Sequence, residues 1–76
     1  MIIESPTPKM LAEVRGGIAW ITFNAPEKRN AMSLDMWQGL GEILEKLEIE
    51  SSVRVLILKG AGDAAFVSGD DISEFE

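Results

Sequence analysis

Val53-Arg54-Val55-Leu56-Ile57-Leu58-Lys59-Gly60-Ala61-Gly62 decides the fold. Residues 53–58 are nearly all apolar, the pattern of a strand covered on both faces. A parallel partner for such a strand requires a crossover of a dozen or more residues, usually a helix. The chain has one directly upstream. Leu34, Trp37, Leu40, Leu44 and Leu47 recur at steps of three and four, which predicts a helix with one apolar face. Ser33 reads as its N-cap, and Asp35 complements the positive first turn. The helix is expected to end near Glu50-Ser51-Ser52. Gly39 and Gly41 each cost a helix about 1 kcal/mol relative to alanine, which points to close packing or to local weakness.

Further upstream, residues 11–15 and 18–23 are short β-prone runs separated by Gly16-Gly17. Two glycines between such runs signal a hairpin, because both central residues of a type I′ turn need positive φ. Residues 24–30 read as loop, since Pro26 keeps Ala25 out of the helical region. Trp20 and Trp37 both read as packing residues. Pro6 and Pro8 make residues 1–10 an extended N-terminal arm, and residues 11–76 form the remaining unit. The order is strand, strand, helix, strand, glycine loop and a new helix. This is an α/β pattern in which the last strand pairs in parallel with an earlier one.

Composition narrows the chemistry. The 76 residues include no cysteine and no histidine, which removes disulfides, thiolates, imidazole bases and the usual zinc ligands. A chain of this size buries only about 60% of the surface its unfolded form exposes, so its stability is marginal. A net charge of −6 repels nucleic acid and anionic membranes. No apolar run approaches the roughly 18 residues of a transmembrane helix, and the N-terminus lacks a basic leader before an apolar stretch. The expectations are a cytoplasmic protein, with no membrane and no nucleic acid as partner.

Two segments carry possible chemistry. Gly60-Ala61-Gly62 follows a strand and precedes a helix start, so free backbone N–H groups would collect at the positive end of a helix dipole, an arrangement suited to an oxyanion. It lacks the third glycine of the dinucleotide fingerprint and the Gly-Lys-Ser/Thr of a phosphate loop. On spacing alone, an ordinary strand-to-helix connection is the better account. Asp70, Asp71, Glu74 and Glu76 cluster beyond it. Their spacing fails the calcium-loop pattern, and acids in a first helical turn are commonly dipole complements, so no metal is expected. Lys28-Arg29 is the one adjacent basic pair. It suits a phosphate or, more simply, a solvated turn.

Three motifs in order also resemble a known family. Phe23-Asn24-Ala25-Pro26-Glu27-Lys28-Arg29-Asn30-Ala31-Met32-Ser33 resembles the early loop of the crotonase superfamily, the enoyl-CoA hydratases and isomerases. The stretch from Val53 to Gly62 resembles the strand that follows. Ala65-Phe66-Val67-Ser68-Gly69-Asp70-Asp71-Ile72 resembles its oxyanion segment. The resemblance runs from Leu11 onward and covers about the first third of such a domain.

The resemblance implies a crotonase-like (ClpP/crotonase) spiral of ββα units, of which this chain carries the first and the start of the second. It implies an acyl-CoA thioester as substrate, no further cofactor, and a homo-oligomer, trimeric or hexameric in the family. By the same resemblance, the backbone N–H of Asp70 donates to the thioester oxygen, and backbone from Ser68 through Gly69, Asp70, Asp71 and Ile72 holds pantetheine and adenine. Lys28, Arg29 and Ala31 match positions that line the CoA nucleotide. The implied activity is hydration or isomerisation through a thioester enolate, by carboxylates beyond residue 76, so that residues 1–76 alone are expected to be inactive. Glu74 and Glu76 do not match those acids. Position 70, ordinarily small and neutral, is aspartate here, and its side chain is expected to turn away from the enolate. The motifs are shared with thioester hydrolases, decarboxylases and dehalogenases. A non-catalytic binding or assembly module is the alternative from another class.

Overall fold

The hairpin forms where the glycines place it. Gly16 and Gly17 take φ of +56° and +82°, values that side-chain-bearing residues rarely adopt. They join strand β2 (Met10–Arg15) to strand β3 (Ile18–Phe23), antiparallel with Met10 opposite Phe23 and Arg15 opposite Ile18. In this computed structural model, residues 1–63 and 65–69 are described. Helix α1 (Leu34–Glu48) crosses over to strand β4 (Val55–Gly60), which runs parallel to β3 with Ile18 opposite Val55 and Phe23 opposite Gly60. The Gly17 carbonyl accepts the N–H groups of Arg54 (2.7 Å) and Val55 (3.2 Å), which fixes where β4 begins.

The N-terminal arm is partly built into the sheet. Strand β1 (Ile2–Ile3) pairs antiparallel with β2, and the Met1 ammonium donates to the Val14 carbonyl at 2.9 Å. Among the described residues the sheet order is β1-β2-β3-β4.

Alternation sorts the sheet into two faces. Met10, Ala12 and Val14 of β2 and Ala19, Ile21 and Phe23 of β3 are buried. They form one core with Met36, Ile43 and Leu47 of α1, together with Ala25 and Met32. Leu11, Glu13, Trp20 and Thr22 alternate with them onto the opposite face. There the Trp20 ring lies between the Arg15 guanidinium (5.5 Å) and the Lys59 ammonium (5.9 Å).

Several expectations need correction. The buried stripe of α1 is Met36, Gly39, Ile43 and Leu47, one residue around from the stripe read in the sequence. Leu34, Trp37 and Leu44 are 41–49% exposed, so Trp37 is not a core residue. The cause is Gly39. A Cβ there would sit 3.0 Å from Thr7 Cγ2 and 3.3 Å from Met10 Cγ, so the helix approaches the arm and the start of β2 through its glycine. Gly41 meets nothing within 4 Å and serves no packing role. The helix ends at Glu48, two residues before Glu50, although the turn continues through a Glu50 N–H to Leu47 carbonyl bond. Strand β4 is not covered on both faces in this chain, because Val55, Leu56 and Leu58 are each exposed by more than two fifths.

The start of α1 is tied to the arm by a polar clamp. Ser33 occupies the N-cap position, but its hydroxyl donates to the Asp35 carboxylate instead of accepting a backbone N–H. Thr7 Oγ1 donates to the other Asp35 oxygen, Oδ2, at 2.9 Å, and Lys9 Nζ lies 3.4 Å from Oδ1, the oxygen that Ser33 bonds. The Ser33 hydroxyl bond, the largest effect, holds the Asp35 carboxyl below its ordinary value; burial opposes it, and Thr7 and the Lys9 charge add to the lowering. A depressed folded-state pKa stabilises the fold above the unfolded value, about pH 4, and the contribution is lost as pH falls through the folded value. Asp35→Asn should therefore lower stability at pH 7 by less than about 1 kcal/mol, since the carboxylate is half exposed and screened. The difference should shrink as pH falls through the lowered folded-state value. Denaturant melts of both chains across that range check it.

Candidate functional site

The loop between β3 and α1 is wound tightly because Pro26 opens a single 3-10 turn, Pro26–Lys28. Lys28 N–H reaches the Ala25 carbonyl (2.9 Å), Arg29 N–H the Pro26 carbonyl (3.0 Å) and Ala31 N–H the Lys28 carbonyl (3.0 Å). Arg29 and Asn30 then take left-handed backbone, φ 53° and 58°. This winding leaves Lys28 and Arg29 exposed, keeps Ala31 half-buried and turns Asn30 fully inward.

The inward turn lets the loop grip the segment after β4. Asn30 Oδ1 accepts the Ala25 N–H at 2.8 Å. Its Nδ2 donates to the carbonyls of Ala61 (3.0 Å) and Ala65 (2.8 Å). Met32 N–H donates to the Gly69 carbonyl at 2.7 Å, and the Ser68 hydroxyl reaches the Lys28 carbonyl at 3.5 Å. The Phe66 ring meets Phe23 edge-on with centroids 5.3 Å apart. The crossing is close at Gly60, where a Cβ would lie 2.5 Å from the Phe66 carbonyl oxygen, 2.6 Å from that of Ala65 and 2.7 Å from Asn30 Nδ2.

Lys28, Arg29, Ala31, Ser68 and Gly69 therefore share one neighbourhood, although up to 41 residues separate them. Asp70, Asp71 and Ile72 lie outside the described residues, as do Glu74, Glu76 and the expected second helix. Asn30 is the residue that sequence reasoning missed. It lay inside a quoted motif, but a polar residue in a loop signals a turn, not a buried tie between distant segments.

A hollow of about 40 Å³ beside the loop is lined by Lys9, Lys28, Ala31 and Ser33, with Glu27 also on its wall. One of about 380 Å³ lies at the end of β4, between Lys59, Gly62, Asp63 and Phe66. A broader groove of about 940 Å³ lies against the opposite face of the sheet, along Leu11, Trp20, Thr22 and Lys59, away from Lys28 and Ser68. Among the described residues no group of three acids, histidines or cysteines could hold a metal ion, and no helix is long and apolar enough to cross a membrane.

Known proteins resemble this chain in sequence and in fold. The family model for enoyl-CoA hydratase/isomerase matches residues 13–76. The chain is 43% identical over 63 residues to a hydroxycinnamoyl-CoA hydratase-lyase of Pseudomonas fluorescens, covering 83% of this chain and 22% of that protein. It is 41% identical over 69 residues to a mitochondrial 3-hydroxyisobutyryl-CoA hydrolase of Rattus norvegicus, covering 91% of this chain and 18% of that one. The crystal structure of an enoyl-CoA hydratase/carnithine racemase from Magnetospirillum magneticum superimposes with a TM-score of 0.85 at 41% identity, over 93% of this chain and 27% of that one. The match thus spans about a fifth to a quarter of the length of these relatives. Its α/β architecture is crotonase-like, with β2, β3 and α1 forming the first ββα unit. The chain belongs to the enoyl-CoA hydratase/isomerase family.

Proposed function

We propose that this chain supplies the coenzyme A-binding and oxyanion-forming part of an acyl-CoA enzyme that hydrates or isomerises an enoyl thioester. The observation that supports it most is the Met32–Gly69 bond of 2.7 Å, which joins the Lys28-Arg29 loop to the segment leading into Asp70. A thioester has a charged nucleotide end and a carbonyl end, and a loop and segment bonded together suit both. Lys28 and Arg29 would pair with the phosphates, for which an exposed ammonium and a guanidinium are suited. Ala31 is small enough to leave room for the nucleotide. Backbone of residues 68–72 would line pantetheine and adenine.

The chemistry places negative charge on the former thioester oxygen as an enolate forms. The Asp70 backbone N–H would donate to that oxygen, an interaction of a kind typically worth about 3–4 kcal/mol in the transition state. The Asp70 carboxylate would point away, because at about 6 Å it would cost roughly 2–3 kcal/mol at an effective dielectric near 20. Carboxylates outside these 76 residues would move the protons, and the enzyme would act as a homo-oligomer. The rat hydrolase, 41% identical over 69 residues, favours thioester hydrolysis as the second reading, because the same segment there belongs to a different reaction.

A Lys28→Ala, Arg29→Ala double variant of the full-length enzyme should raise KM for crotonyl-CoA about tenfold with kcat within about twofold, the signature of lost ground-state binding. Steady-state hydration assays read this directly. A full-length protein that turns over no acyl-CoA would refute the proposal, and release of free CoA in place of hydration would select the hydrolase reading.

A further inference from the structure

We infer that Asn30 is a positioning residue that couples the nucleotide-side loop to the oxyanion segment. The inference rests on the acyl-CoA reading above and adds a role for a side chain that touches neither substrate nor reacting atoms.

The carboxamide of Asn30 uses its acceptor and both donors. Oδ1 takes the Ala25 N–H (2.8 Å), and Nδ2 gives its two hydrogens to the carbonyls of Ala61 (3.0 Å) and Ala65 (2.8 Å). The residue is 0% exposed, so water cannot replace a lost partner. Asparagine is also among the few residues with a side chain that sit readily at a left-handed φ, here 58°. Aspartate keeps the size and the acceptor but loses both donors, and it would turn a carboxylate toward two carbonyl oxygens.

The placement of these bonds gives them a role beyond folding. Asn30 holds the segment at Ala61 and Ala65, and Met32 holds it at Gly69. Both holding residues lie within four positions of Lys28 and Arg29. The backbone leading into the proposed donor is therefore suspended from the proposed nucleotide loop at both ends. Transition-state stabilisation by a backbone N–H demands placement within about 0.5 Å, whereas nucleotide binding by exposed cations tolerates more. Loss of the Asn30 bonds should thus reduce kcat far more than it raises KM, the opposite of the Lys28/Arg29 variant.

The test is steady-state kinetics of the full-length enzyme with crotonyl-CoA, alongside CoA affinity by calorimetry and melting curves. Asn30→Asp and the uncharged Asn30→Ser are compared with wild type. The expected result is a folded variant with kcat reduced about 30-fold or more, and with KM and CoA affinity changed by less than about threefold. A folded variant with unchanged kcat overturns the inference, as does a KM increase without a kcat loss. If neither variant folds, Asn30 serves folding alone and the inference is overturned. If wild type binds no CoA and turns over no acyl-CoA, the acyl-CoA reading fails first and takes this inference with it.

Discussion

Gly60→Ala should destabilise the chain by about 3 kcal/mol, the upper end of the usual cost of overpacking. The new methyl would need space now held by two backbone carbonyl oxygens, at 2.5 and 2.6 Å, and by Asn30 Nδ2 at 2.7 Å. A flexible side chain could swing away from such a contact. Phe66 and Ala65 cannot, because their carbonyls belong to the segment that the loop grips, and the Ala65 oxygen is itself an Asn30 acceptor. The strand would have to separate from residues 65–69, breaking that bond and the Phe23–Phe66 contact together. At roughly 0.05–0.15 kcal/mol per residue, a 76-residue chain has only about 4–11 kcal/mol of stability to lose. Urea melts measure the loss. Gly41→Ala is the control, since nothing lies within 4 Å of its added carbon and alanine favours a helix over glycine by about 1 kcal/mol. Equal midpoints for the two variants would show that the crossing at Gly60 is looser than these distances require.

The hairpin, the crossover helix and the parallel return strand were legible in the sequence because each rests on a local signal. Gly16-Gly17 dictates a turn by its own backbone preference, and the three- and four-residue step of α1 needs no knowledge of its neighbours. The stripe that α1 buries was not legible for the same reason. Two apolar stripes share Leu47, and the larger side chains lie on the wrong one. What selects Met36 and Ile43 over Trp37 and Leu44 is the approach of Gly39 to Thr7 and Met10, a contact with residues 29 to 32 positions away. The apolar run of β4 likewise tells what the strand tolerates around it, not what covers it. Of the candidate site, family motifs named Lys28, Arg29, Ala31, Ser68 and Gly69 as expectations, and the fold brings together the loop and the segment that carry them. Asn30 was hidden because its carboxamide partners at Ala61 and Ala65 are 31 and 35 residues distant.

Ile43→Ala and Leu44→Ala, adjacent and nearly equal in apolar volume, should separate sharply. Ile43 is fully buried between the sheet and the helix, whereas Leu44 is 41% exposed. Truncating a buried Ile forfeits its transfer free energy and leaves a cavity, together about 2–5 kcal/mol. Close packing among Ala19, Ile21 and Met36, each 0% exposed, leaves little slack to fill that cavity, which favours about 3 kcal/mol or more. Leu44→Ala removes a side chain already half in water and improves helix propensity slightly, so its cost should stay below about 1 kcal/mol. Denaturant midpoints of the two variants at one temperature give the comparison. A Leu44 cost matching that of Ile43 would return the buried face to the stripe with the larger residues and refute the packing described for α1. A large cost at Ile43 alone would place the stability of this unit on the face of α1 that Gly39 brings against Thr7 and Met10.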